Sequence, residues 1–205
     1  SSIIIVKKDV LNNMAEELEI EFKNLLTHDE YFSIKQYYFK QKAPFKQTNY
    51  YIDTYNQDII SKKMALRIRE KHHQYEMTLK IPQKIGLLEI NEPIDSLPKL
   101  GEKLCIDMLP PSISEALNKH HIVLNDLVLL GSLTTYRLEQ KLDTGLLVLD
   151  HSIYLNEEDF ELEFEVSDFD KGEIDFSSIL ENLNIERRIP DNKVKRFFDA
   201  AKKSN

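Results

Sequence analysis

The 205-residue chain has one cysteine, no tryptophan and five glycines. A single thiol, Cys105, excludes an internal disulfide and fits a reducing cytoplasm, which is the expected location. Neither a P-loop nor a glycine-rich dinucleotide turn is present, and there is no zinc-spaced Cys/His set and no nucleophile elbow. No apolar run approaches the ~20 residues of a membrane helix. The opening Ser1–Lys8 also lacks the ordered regions of a secretory signal, so no membrane partner is expected. A basic excess is missing too: 27 Lys and Arg stand against 35 Asp and Glu, a formal net charge of -8. That balance argues against general nucleic-acid binding, and any anion must be drawn in by a local cluster of cations.

What is present is a set of strands with charge on one side. With 41% hydrophobic residues and no linker, the chain reads as one domain. Met14 looks like a natural start, so residues 1–13 are expected to be an upstream or added extension and 14–205 the domain. Glu17 to Lys23 alternates charged odd positions with apolar even ones, the period of a β-strand. The stretch from Met64 to Lys71 places Arg67, Arg69 and Lys71 in phase with Ala65. After a turn at His72-His73-Gln74, Tyr75 to Ile81 puts Glu76, Thr78 and Lys80 in phase, and 86–92 reads as a further strand carrying Glu89. Later, 133–142 aligns Arg137, Glu139 and Lys141, and Asp143-Thr144-Gly145 turns the chain toward Asp150. Phe160 to Val166 repeats the acidic pattern with Glu161, Glu163 and Glu165.

Helices fill the remainder. Thr27 and Glu30 form a capping box for a helix over about 28–40. Ser112 or Ser114 caps a helix to about Lys119, and another spans about 172–183. Asn192 caps a last helix with Val194, Phe197, Phe198 and Ala201 as its apolar stripe.

The charged rows allow two arrangements. In one they form an outer, solvated face laced with salt bridges, as antiparallel sheets often do. In the other they point inward, where neither sign is stable alone because each desolvated ion costs on the order of several kcal/mol. Glutamates supply the hard oxygens that Mg²⁺ and Mn²⁺ prefer, and arginines and lysines supply donors for phosphate oxygens. His151 beside Asp150 is a conceivable base, although a structural histidine explains it more simply.

Glu19-x-Glu21-x-Lys23 resembles the N-terminal signature of the CYTH superfamily, the triphosphate tunnel metalloenzymes. The resemblance covers about residues 15–200 and takes in Arg67-x-Arg69, Thr78-x-Lys80, Glu89, Arg137, Asp150, Glu163-x-Glu165 and Asn192-Lys193-x-x-Arg196. Asn192 stands where many members have serine. The resemblance implies an α+β fold: a closed eight-stranded antiparallel β-barrel, a tunnel, with peripheral helices. It implies Mg²⁺ or Mn²⁺ held by Glu19, Glu21, Asp150, Glu163 and Glu165, with Glu19, Glu21 and Lys23 serving catalysis. Arg67, Arg69, Lys80, Arg137, Lys141, Lys193 and Arg196 would bind a small-molecule triphosphate. The expected activity is hydrolysis of inorganic, nucleoside or thiamine triphosphate. Cyclisation of ATP and non-catalytic polyphosphate or nucleotide sensing are the alternatives.

Overall fold

The computed structural model describes residues 16–18, 20–84 and 87–204. In chain order these form β1 (Glu16–Leu18), β2 (Ile20–Leu26), α1 (His28–Tyr38), β3 (Phe45–Asp53), α2 (Asp58–Ser61), β4 (Ala65–Lys71) and β5 (Gln74–Pro82). They continue with β6 (Leu87–Ile94), α3 (Pro111–Lys119), β7 (Val128–Lys141), β8 (Gly145–Tyr154), β9 (Glu157–Val166), α4 (Phe169–Asn182) and α5 (Lys193–Lys203). All strands join one antiparallel sheet in the order β1-β6-β5-β4-β3-β7-β8-β9-β2. The architecture is therefore α+β. Nine strand segments appear where eight were expected, because the first strand is described as two pieces on either side of residue 19.

The local signals explain most boundaries. The Thr27–Glu30 capping box forms in both directions at the start of α1. Asn192 accepts from the Lys195 backbone N–H at the start of α5. At α3 the expected serine cap is replaced by Pro111 at the first helical position, where a missing N–H costs nothing. Helix α4 begins earlier than its periodicity suggested because Asp168 caps it, accepting from Lys171 N–H.

The sheet is apolar on its outer face. Phe22, Leu138, Leu147, Leu162 and Phe164 pack with Ile34 of α1 and with Phe176 and Leu180 of α4. Leu66, Ile68, Met77, Leu79 and Ile90 form a second cluster with Ile113 and Leu117 of α3. Each such side chain contributes about 1.5–3 kcal/mol by leaving water. The helices thus cover the outside of the curl, which leaves the charged positions to its concave side. One helix is the exception. Helix α5 lays Val194, Phe197 and Phe198 on Tyr51 and Leu133, which share the concave face with the charges. Gly131 permits this approach, since a Cβ there would collide with the Phe197 ring.

Candidate active site

The concave face encloses roughly 800 Å³ of space, part of it open to solvent. Its walls are the charged phase of the strands, so the inward arrangement is the one adopted. Glu21, Lys23, Arg67, Arg69, Lys80, Arg137, Glu163, Glu165 and Lys193 all line this cavity, as do Glu89, Lys63, Asn192 and Tyr51.

One wall is acidic. Antiparallel pairing sets Glu21 of β2 opposite Glu165 of β9, and Lys23 opposite Glu163. Glu21, Glu163 and Glu165 each offer an oxygen within 4.8 Å of the others. Burial and the Glu163 charge push the Glu165 carboxyl above its ordinary range. Burial alone would do the same to Glu163, but Lys193, a hydrogen bond with the Glu21 carboxyl, Arg137 and Lys23 hold it well below. Lys23 Nζ lies 3.7 Å from Glu21 and 4.0 Å from Glu161. Burial lowers its pKa, and Glu21, Glu161 and Glu163 overcome that and raise it.

The facing wall is basic. Arg67 and Arg69 come from β4, and Lys80 of β5 pairs with Glu89 of β6. Arg67 stands 3.8 Å from Glu89, and among the described residues its buried Nε has no hydrogen-bond partner. Arg69 Nε donates to Asn49 Oδ1 at 2.9 Å. Burial, then the neighbouring cations Arg67 and Arg137, lower the Arg69 pKa to about 9. Cations crowded in this way favour an anion between them.

Between the walls runs a closed set of ion pairs. Arg137 donates through Nε and Nη2 to both oxygens of Asp150, at 2.8 and 2.7 Å. Lys193, brought in by the first turn of α5, lies 2.8 Å from Asp150, 2.7 Å from Glu163 and 3.2 Å from Glu161. Burial raises the Asp150 pKa by itself, but Arg137 and Lys193 bring it below the usual value. Arg196 bonds Glu161 and stands 3.6 Å from Asp159, whose carboxylate also accepts from Tyr154 OH.

These placements divide the expected residues. Glu19 lies outside the described residues. Asp150 is fully buried behind the cavity and gives both oxygens to Arg137 and Lys193, so the structure does not bring it to the acidic cluster. Arg196 turns to Glu161 and Asp159 and does not line the cavity. Lys141 keeps the right phase but is exposed, because β7 runs fourteen residues and extends past the cavity. His151 bonds Glu158 at 2.7 Å and stacks on Phe160, a structural role on the outer face. Lys63 was missed. It stands in step with Ala65, Arg67 and Arg69, and its left-handed backbone (φ 59°) hides that phase from a strand pattern.

The model of the CYTH domain matches residues 17–198. This chain belongs to the CYTH domain family. The CYTH match contains every cavity-lining residue named above. A Bacillus subtilis (strain 168) protein, YjbK, named as a candidate triphosphatase, is 38% identical over 192 residues, covering 93% of this chain and 100% of its own length. A Bacillus halodurans crystal structure described as a candidate adenylate cyclase superposes with a TM-score of 0.80 at 34% identity, covering 90% of this chain and 100% of that one. A Hippeastrum protein, described as a candidate adenylyl cyclase with a dominant triphosphatase activity, shares the fold with a TM-score of 0.65 at 19% identity over 89% of this chain and 96% of its own.

The donor set fits a hard divalent cation. Three carboxylates converge with no sulfur or imidazole among them, and the raised Glu165 pKa is what crowded, buried oxygens show before a cation neutralises them.

Proposed function

We propose that this CYTH protein is a metal-dependent triphosphatase working inside a tunnel. The observation that carries the reading is the opposition of two walls in one cavity: Glu21, Glu163 and Glu165 against Arg67, Arg69 and Lys80. A triphosphate with a divalent ion complements both at once. Closure of the sheet belongs to the same proposal. It is supported by β1 and β2, which end opposite edges of the strand order yet adjoin in the chain.

Mg²⁺ or Mn²⁺ would be held by Glu21, Glu163 and Glu165, with Glu19 as a further expected ligand. Bound there, the ion would supply positive charge to the terminal phosphate and lower the pKa of a water. The remaining work falls to side chains. Arg67 and Arg69 grip the phosphate oxygens, Arg67 through its unpartnered Nε, and spread the charge that develops in transfer. Lys80 adds a third donor. Lys23 orients Glu21, and Lys193 and Arg137 keep Glu163 ionised and ready as a ligand.

The same walls would hold ATP for cyclisation, a second reading favoured by the description of the Bacillus halodurans relative. Product analysis separates the two. Incubation with tripolyphosphate, ATP and thiamine triphosphate, each with Mg²⁺ or Mn²⁺, is expected to release orthophosphate, with tripolyphosphate at least as good a substrate as ATP. Glu163→Gln is expected to abolish that release. Cyclic AMP as the main ATP product, with tripolyphosphate intact, overturns the triphosphatase in favour of the cyclase. Binding of all three without turnover leaves a sensor.

A further inference from the structure

The turn between β4 and β5 is unusual. Lys71 pairs with Gln74, leaving His72 and His73 as a two-residue loop. Both are left-handed, at φ 51° and 62°. Turns of that shape favour Asn-Gly, because a bulky side chain at positive φ is strained. Strain retained at an exposed tip invites a functional explanation, and the surroundings supply one.

Along the concave face of β4 the order is Ala65, Arg67, Arg69 and then Lys71 before the two histidines. The first three line the central cavity. Arg69 also lines an open cleft with Lys71, His72 and His73, so cavity and cleft share one guanidinium. On the opposite side of the turn, Lys71, His72 and His73 line a second cleft, in which Lys71 Nζ sits 4.5 Å from the Phe45 ring centre and the His72 ring lies at 6.0 Å. Phe45 thereby fixes the stem of the turn. The cationic track from Arg67 through Arg69 continues to the rim of the sheet, where it ends in two imidazoles. Glu76, Asp95 and Glu70 stand in the same clefts as the facing acids.

We propose that Lys71, His72 and His73 form an outer phosphate subsite, which holds one phosphate group of an anion passing between solvent and Arg69. The proposal rests on the phosphate-handling reading of the central cavity, and the turn is its station at the rim. Binding requires no bond to form or break: donors of Lys71 and the imidazoles replace water around a tetrahedral oxyanion, and exchange is fast enough for passage.

The probe is inorganic orthophosphate, titrated without metal into the full-length chain while the imidazole resonances of His72 and His73 are followed by NMR. Both are expected to shift with one binding curve. The double variant H72N/H73G installs the residues such turns prefer, so the hairpin is kept while both imidazoles are removed. Orthophosphate binding, followed in both proteins on backbone amides of the turn, is expected to weaken at least tenfold in this variant, and orthophosphate is expected to inhibit its turnover correspondingly less. Unmoved imidazole resonances, or equal orthophosphate affinity in both proteins, overturns the subsite. Shifted imidazoles in a wild-type protein that cleaves no triphosphate keep the subsite and sink the triphosphatase reading alone. Cleavage of tripolyphosphate with unmoved imidazoles does the reverse.

Discussion

Glu161 and Glu165 lie four residues apart on one face of β9, and their surroundings are opposite. Glu161 meets three cations, Lys23, Lys193 and Arg196, and is fully buried among them. Glu165 meets acids first: Glu21 across the strand pair, then Glu163. The same division separates Arg137, locked onto Asp150, from Arg69, crowded by Arg67. One charged region of the cavity is internally satisfied and holds α5 to the sheet. The other brings like charges side by side, Glu163 beside Glu165 and Arg67 beside Arg69, a crowding that a ligand of opposite sign would relieve. Charge alone therefore does not separate the two regions; how fully each charge is paired does.

Substitution at the crowded end gives the largest expected effect on turnover. Glu165→Gln should reduce metal-dependent phosphate release by more than the roughly 100-fold typical of losing a mere supporting contact. It should leave the thermal midpoint at neutral pH no lower, because burial and Glu163 disfavour the charge that is removed. A midpoint several degrees lower, or turnover within tenfold of wild type, would erase the contrast with Glu161.

At the satisfied end the expected loss is in stability. Asp150→Ala leaves Arg137 and Lys193 facing a missing partner in a buried place, a cost of roughly 3–5 kcal/mol. Urea unfolding measures it, and a cost under about 1 kcal/mol would show that the network is ornamental. Because its folded pKa lies below the unfolded value of 3.8, Asp150 contributes fully above that value and loses its contribution as pH falls toward the folded pKa. The wild type's stability should therefore drop on acidification more steeply than the variant's.

Lys141→Gln should have the smallest effect: stability within about 0.5 kcal/mol and unchanged phosphate release, as for an exposed position away from any network. A clear loss of tripolyphosphate affinity would extend the working region past the rim where β7 leaves the cavity.

The alternation of Glu21 and Lys23, of Arg67 and Arg69, and of Glu163 and Glu165 was legible because period two records which side chains share a face. It does not record which strands become neighbours. Phase could therefore not correct the placing of Asp150 among the ligands, which the resemblance implied: its phase is right, and only the pairing of β7 with β8 shows Arg137 directly opposite. Lys141 lies exposed beyond the cavity for the complementary reason, since phase says nothing about where along a long strand the cavity stops. Lys63 was invisible because a left-handed residue breaks the pattern just before β4 begins. The Thr27–Glu30 capping box and the Asn192 cap read well because they are local, whereas the position of α5 on the concave face depends on Gly131, far away in sequence.

The pairing of β2 with β9 sets one of the first described segments against one of the last strands. During synthesis the basic half, β3 to β6, can leave the ribosome and pair within itself while Glu21 waits for its two acidic partners. Lys193, which keeps Glu163 ionised, emerges later still. A chain ended before β9 thus carries the basic wall without the acidic cluster of Glu21, Glu163 and Glu165, so on the proposed function it would hold an anion and leave it uncleaved.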